Sequence, residues 1–190
     1  MKHLKLIPFL VLLFVVAISC DDDDDTPVVI NESEIITNMT IQLNSPGNSV
    51  TLTSVDLDGP EGPNAPEISV VGVLMPNTQY IGSIELLDAS NPSDIENITE
   101  EVEEEDLEHQ FFFCVSNGLN ATITGENLDS NGNVLGTSFT LNTGDASTGD
   151  LTFTLVHDGD KSANVDGCDS NALLNNGEID IAQTFSVEIQ

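Results

Sequence analysis

The stretch FFFCVSNGLNATI, residues 111–123, decides the fold. Phe111, Phe113 and Val115 alternate with Phe112, Cys114 and Ser116, and beyond Asn117-Gly118 the positions Leu119, Ala121 and Ile123 take up the same rhythm. A period of two is that of strands with one buried face. Asn-Gly supplies the positive φ angles of a tight turn, so the stretch predicts a β-hairpin. Alternation also turns Phe112 to the opposite face, where a helix or a partner would cover it.

Outward from this hairpin the period of two continues. On the N-terminal side it links Met39, Ile41 and Leu43, then Val50 and Leu52, then Ile68, Val70 and Leu74, then Tyr80, Ile84 and Leu86. Between Leu52 and Val55 the phase slips by one residue, which predicts a bulge. On the C-terminal side a second Asn-Gly, Asn131-Gly132, leads to Leu135, Phe139 and Leu141; the loop TGDASTG leads to Leu151, Phe153 and Leu155. Ile179, Ile181, Phe185, Val187 and Ile189 form a last strand. Eight or nine antiparallel strands with one apolar face each predict an all-β fold, a two-sheet immunoglobulin-like sandwich or a short barrel. One short acidic helix is expected in NPSDIENITEEVEEEDLEHQ, residues 91–110. Ser93 and Glu96 have the spacing of a capping box, Ile95, Ile98 and Val102 share a face, and the helix is expected to end near Glu105.

The N-terminus has a different character. Lys2 and Lys5 precede an apolar run from Leu6 to Ile18, the length of a signal-peptide core and too short to span a bilayer. Ala17, Ile18 and Ser19 lead into Cys20, a pattern that resembles the lipobox of bacterial lipoproteins. The resemblance implies a signal peptide over 1–19 and acylation of Cys20. Two or three acyl chains, each buried methylene worth roughly 0.8 kcal/mol, anchor a protein stably to a membrane. Asp21 to Asp25 repel one another and set an extended, solvated spacer, so 20–33 reads as lipidated cysteine plus acidic linker and 34–190 as one sandwich domain. An acidic run directly after the lipidated cysteine resembles the export signal of surface lipoproteins. It implies the outer face of an outer membrane, with a periplasm-facing or inner-membrane location as the alternative.

Composition narrows the partners. The formal net charge is −30 with three Lys plus Arg among 190 residues, and beyond the signal only Lys161 remains. One cation cannot neutralise phosphates, which excludes nucleic-acid binding. The same charge attracts divalent cations, although acidity also suits life in salty water. Apart from Cys20 there are two cysteines, Cys114 and Cys168, in a compartment where disulfides persist. A bridge between them and two separate thiols both remain open.

The segments ITEEVEEEDLEHQFFF, DLDGPEGPNAPEISV and HDGDKSA are similar to a group of short, uncharacterised bacterial lipoproteins filed under the label type 1 periplasmic binding fold superfamily. That label implies two α/β lobes. The strand rhythm of this chain carries no βαβ alternation and keeps the expectation all-β.

Two clusters are candidate metal sites. Glu101, Glu105 and His109 are four residues apart, so helical geometry through His109 would present two carboxylates and an imidazole on one face. The loop after Leu155 holds His157, Asp158, Asp160, Asp166 and Asp169, where calcium would suit the oxygens and zinc the histidine. Against both stands the plain reading: a solvated helix face, and Asp-Gly turns in an acidic chain. DSNGNVLG, residues 129–136, begins like a calcium loop but has Val134 where glycine is needed and reads as a hairpin turn. Asp56 and Asp58 leave weak cation binding open.

No nucleophile elbow, phosphate loop or close-spaced zinc motif occurs, and no enzyme is expected. The expected function is that of a membrane-anchored extracytoplasmic binding module, accessory to nutrient or metal-ion uptake at the outer membrane, by analogy beside a TonB-dependent transporter. The alternative is a structural or adhesion protein of the envelope with no small ligand.

Overall fold

The computed structural model describes residues 34–59 and 62–190, so the signal segment, Cys20 and the acidic linker lie outside the described residues. Nine strands and two short helices follow one another: β1 Asn38–Ser45, β2 Asn48–Val55, β3 Glu67–Val71, β4 Gln79–Leu87, α1 Ile98–Glu104, β5 His109–Ser116, β6 Ala121–Thr124, β7 Ser138–Thr143, β8 Ser147–His157, α2 Ser170–Asn176 and β9 Glu178–Ile189. They form a six-stranded sheet, order β3-β2-β1-β4-β7-β6, and a three-stranded sheet, order β5-β8-β9. Every named strand pair is antiparallel, so the protein is an all-β sandwich and the α/β lobes of the label do not describe it.

Alternation buries the inner faces. Met39, Ile41, Leu43, Val50, Leu52, Tyr80, Ile84 and Leu86 from the large sheet meet Phe111, Leu151, Phe153, Leu155 and Phe185 from the small one. Four phenylalanines stitch the layers together: Phe139 of β7 lies 5.0 Å from Phe113 of β5 and 5.8 Å from Phe153 of β8, which lies 6.0 Å from Phe185 of β9. Tilted and edge contacts at these spacings are favourable arrangements of aromatic quadrupoles. Gly82 of β4 pairs with Phe139, and a Cβ there would sit 2.4 Å from the phenyl ring, so only glycine leaves room for it.

Several expectations are corrected. Asn117 and Gly118 do have positive φ, 54° and 88°, but the turn is not a hairpin. β5 pairs with β8 in one sheet and β6 with β7 in the other, so the chain changes sheet at this corner. Turn chemistry fixes local direction; pairing is chosen by which apolar faces meet. β2 carries no bulge, because Ser54 takes the next inward position and its hydroxyl donates to Gln183 Oε1 at 2.9 Å. Ile68 and Val70 are exposed, since β3 is an edge strand outside the core. Ser93 does not cap a helix: α1 starts after Asn97 and is only seven residues long. Ile95 is exposed, whereas Ile98 and Val102 join the core and the helix ends at Glu105 as expected.

α2 has no counterpart in the sequence-based expectation. Its N-cap is Asp169, whose carboxylate accepts from Asn171 N and Ala172 N. The excursion between β8 and β9 folds over the outer face of the small sheet, where Phe112, Val156 and Leu173 make a second small core. Phe112 is therefore covered by α2 and its flanks. Burial on both sides explains why the end of β8, from Phe153 to His157, is buried without alternation. Cys114 and Cys168 are bonded, with Cα atoms 4.8 Å apart, which ties this excursion to β5. Among the described residues Lys161 is the only lysine or arginine, and its ammonium is 2.8 Å from Asp129 Oδ2.

Candidate metal centre

His109 opens β5 and His157 closes β8, and the two are direct cross-strand partners. Both fall on the inward column that holds Phe111 and Leu155, so the alternation that packs the core also carries the imidazoles inside. Their rings stack with centroids 4.6 Å apart and planes inclined by 19°.

The third member depends on an irregularity. Leu155 pairs with Ile181 and Val156 with Ile179, leaving Asp180 as an extra residue between them. A bulge of this kind re-aims a side chain. It sends Ile179 to the outer cluster and Ile181 to the main core, where regular alternation would have put both on one face. The Asp180 side chain is 1% exposed, and its Oδ1 lies 4.0 Å from His157 Nδ1. Burial, then the charge of Glu34, raises its pKa to about 6, with His157 and His109 pulling the other way.

Glu34, just before β1, supplies the fourth group: its Oε1 is 3.0 Å from His109 Nε2, in ion-pair contact but off hydrogen-bond geometry. His109 Nδ1 is 3.2 Å from the Glu105 carbonyl oxygen. A carbonyl only accepts, so Nδ1 carries the proton and Nε2 turns toward the Glu34 carboxylate. A bare Nε2 would set two lone pairs against each other; a proton or a metal ion removes that conflict. Burial lowers the pKa of His109, but Glu34 and Asp180 outweigh it and the net shift is upward. Glu34 Oε2, His109 Nε2 and Asp180 Oδ2 are all buried without a hydrogen-bond partner. Unsatisfied buried polar atoms are uncommon, and three in one cluster mark a place that could hold an ion.

The geometry fits an ion. Donor atoms of His109, His157 and Asp180 lie within 4.8 Å of one another, as do those of Glu34, Glu105 and His109. Two ligands each about 2.0–2.2 Å from a tetrahedral zinc ion stand roughly 3.4 Å apart, a little wider than the 3.0 Å between Nε2 and Oε1. A backbone carbonyl holding the other ring nitrogen is the usual support of a metal-binding imidazole.

The expected clusters are thus regrouped. α1 stops before His109, so Glu101, Glu105 and His109 do not share a helix face. Glu105 stays beside His109, while Glu101 is exposed; partial burial and then Glu34 raise its pKa. From the second cluster His157 and Asp158 remain together, with Asp158 Oδ2 3.9 Å from His157 Nε2; Glu108 Oε2 approaches the same nitrogen at 3.7 Å. Asp160 closes a turn by accepting from Ser162, Asp166 accepts from Cys168 N, and Asp169 caps α2, so these three serve local structure. Asp129 holds its own turn through Asn131 N and Asn133 N, in keeping with a hairpin loop.

Glu34 and Asp180 were not legible as site residues. Glu34 follows a polar linker, and Asp180 occupies what alternation marks as an outward position. No protein-family model, curated protein or solved structure matches the chain.

Proposed function

We propose that this protein is a lipid-anchored extracytoplasmic binding module whose ligand is a divalent transition-metal ion. His109, His157 and Asp180 are the ligands, and Glu34 adjoins the His109 imidazole. The observation that carries the reading is the pairing of His109 Nε2 with Glu34 Oε1 at 3.0 Å beside a second buried imidazole and carboxylate. Two nitrogen donors favour zinc and its neighbours over calcium, which takes oxygen. In this reading the ion is held as cargo or as a structural element.

Anchoring rests on the lipobox-like approach to Cys20 and on the resemblance to short bacterial lipoproteins. The acidic spacer and the single cation beyond the signal suit a domain that collects cations outside the cell, accessory to uptake and beside a TonB-dependent transporter. Calorimetric titration of the metal-stripped mature chain tests the ligand: saturable one-site binding of Zn²⁺ that Ca²⁺ does not reproduce is expected, and flat Zn²⁺ thermograms would refute it. For the anchor, Cys20→Ser is expected to move the protein from the membrane fraction to the soluble one.

A further inference from the structure

A cavity of about 360 Å³ opens beside the metal centre, between the ends of β1 and β2 and the start of β9. Its volume is that of a small-molecule site. Ile36, Pro66, Ile179 and Ile181 give it apolar walls, while Asp56 and Asp180 also line it. The Ser54 hydroxyl and Gln183 amide oxygen on the same wall satisfy each other. Each carboxylate keeps one buried oxygen without a hydrogen-bond partner, Asp56 Oδ1 and Asp180 Oδ2, while Asp56 also meets Asp58 and backbone N–H groups and Asp180 Oδ1 lies 4.0 Å from His157 Nδ1. Asp58, next to Asp56, adds negative charge and pins the covering loop by accepting from Asn64 N and Nδ2.

Among the described residues no lysine or arginine lines this cavity. Lys161, the only lysine or arginine among the described residues, is held by Asp129 Oδ2 and the Asp106 carbonyl. A bare dication would leave the apolar walls without a purpose, because hard ions want water or oxygen on every side. A neutral apolar ligand would leave the two buried oxygens without a donor. An ammonium group on a short hydrocarbon body meets both demands.

The geometry points to a second binding site in this cavity, for a small aliphatic amine whose ammonium donates to Asp56 and Asp180 while its hydrocarbon body lies against Ile36, Ile179 and Ile181. The site shares Asp180 with the metal reading and is told apart from it by Asp56, which is no part of the metal centre. Asp180 faces both, so an ion at the histidines and an amine in the cavity weaken each other.

The test uses the ¹⁵N-labelled mature chain in detergent at pH 7.5, stripped of metal and titrated with butylammonium, 1,4-diaminobutane and butanol while amide shifts are followed. Both amines are expected to shift Ala182, Ile181 and Asn64 saturably, with butanol at least about tenfold weaker, the difference one charge-assisted hydrogen bond makes. Asp56→Asn is expected to weaken amine binding about tenfold and to leave Zn²⁺ affinity unchanged. Ala182→Leu, on an exposed lining position, is expected to block amine binding while leaving the rest of the spectrum in place. Equal responses to butanol and butylammonium, or Asp56→Asn binding as the unaltered chain does, would overturn the proposal. So would shifts that sodium or calcium chloride reproduce at equal concentration, which would reveal ionic screening and not a site.

Discussion

His109 and His157 face each other across β5 and β8 with ring centroids 4.6 Å apart, as the first and last residues of strands that pair in register throughout. Neither is on the helix or in the acidic loop that the sequence put forward as their settings. Strand pairing joins them, and the Glu34 and Asp180 carboxylates approach them from elements 75 residues before and 71 after His109, counted along the chain.

If these groups hold an ion, His109→Gln and His157→Gln should each reduce Zn²⁺ affinity by more than about 100-fold, beyond the 10- to 100-fold typical of a supporting partner. Asp160→Asn and Asp166→Asn, both in turns, should leave it unchanged. Competition with a chromophoric chelator measures all four; uniform affinities would remove the site.

The pH dependence of the metal-free domain has a definite sign. Asp180 is protonated in the fold up to about pH 6, against an ordinary value of 3.8, so the folded state holds the extra proton between these limits. Stability therefore falls as pH rises from about 4 through 6. His109, raised above 6.5, acts in the same direction: its stabilisation is complete below 6.5 and is lost as pH climbs through the folded value. Denaturant titrations should show this decline, and Asp180→Asn should flatten its lower part. Saturating Zn²⁺ should reverse the slope, because binding displaces protons.

Asp129 and Lys161 make the opposite case. Burial alone would raise the Asp129 pKa, but Lys161 and the backbone donors bring it down to about 2 from 3.8. Its contribution is complete above about pH 4 and is lost as pH falls through 2. Lys161→Met leaves the carboxylate without its cation and should cost roughly 3 kcal/mol, the low end of what breaking a buried pair costs. Chemical denaturation at pH 7 reads the loss, which should shrink as the pH is taken below 3.

The Cys114–Cys168 bond spans 54 residues and fastens the α2 excursion over Phe112 and Val156. Its removal by Cys114→Ala with Cys168→Ala should lower stability by about 4 kcal/mol on the chain-entropy account. Hydrogen exchange should show protection lost first around Leu173, the excursion's contribution to the small outer core. Unchanged exchange there would mean that side-chain packing alone holds the excursion.

Period-two alternation was enough to determine that residues such as Met39, Ile41, Phe111 and Phe153 line one buried interior, because burial on one face imposes that spacing on any strand. Helical spacing in turn found Ile98 and Val102 on one face of a short helix ending near Glu105. Charge and the single late lysine set the expectation against nucleic-acid partners, since that reading depends on composition alone. The tertiary structure decided what lies beside what. Asn117-Gly118 has the dihedral angles of a hairpin whether the next strand returns beside β5 or crosses to β7, and packing of apolar faces makes that choice. Asp180 reads as an outward residue until the bulge against Leu155 and Val156 turns it inward. Glu34, His109, His157 and Asp180 meet only once strands far apart in the chain have paired, and long-range pairing is not written in any local stretch.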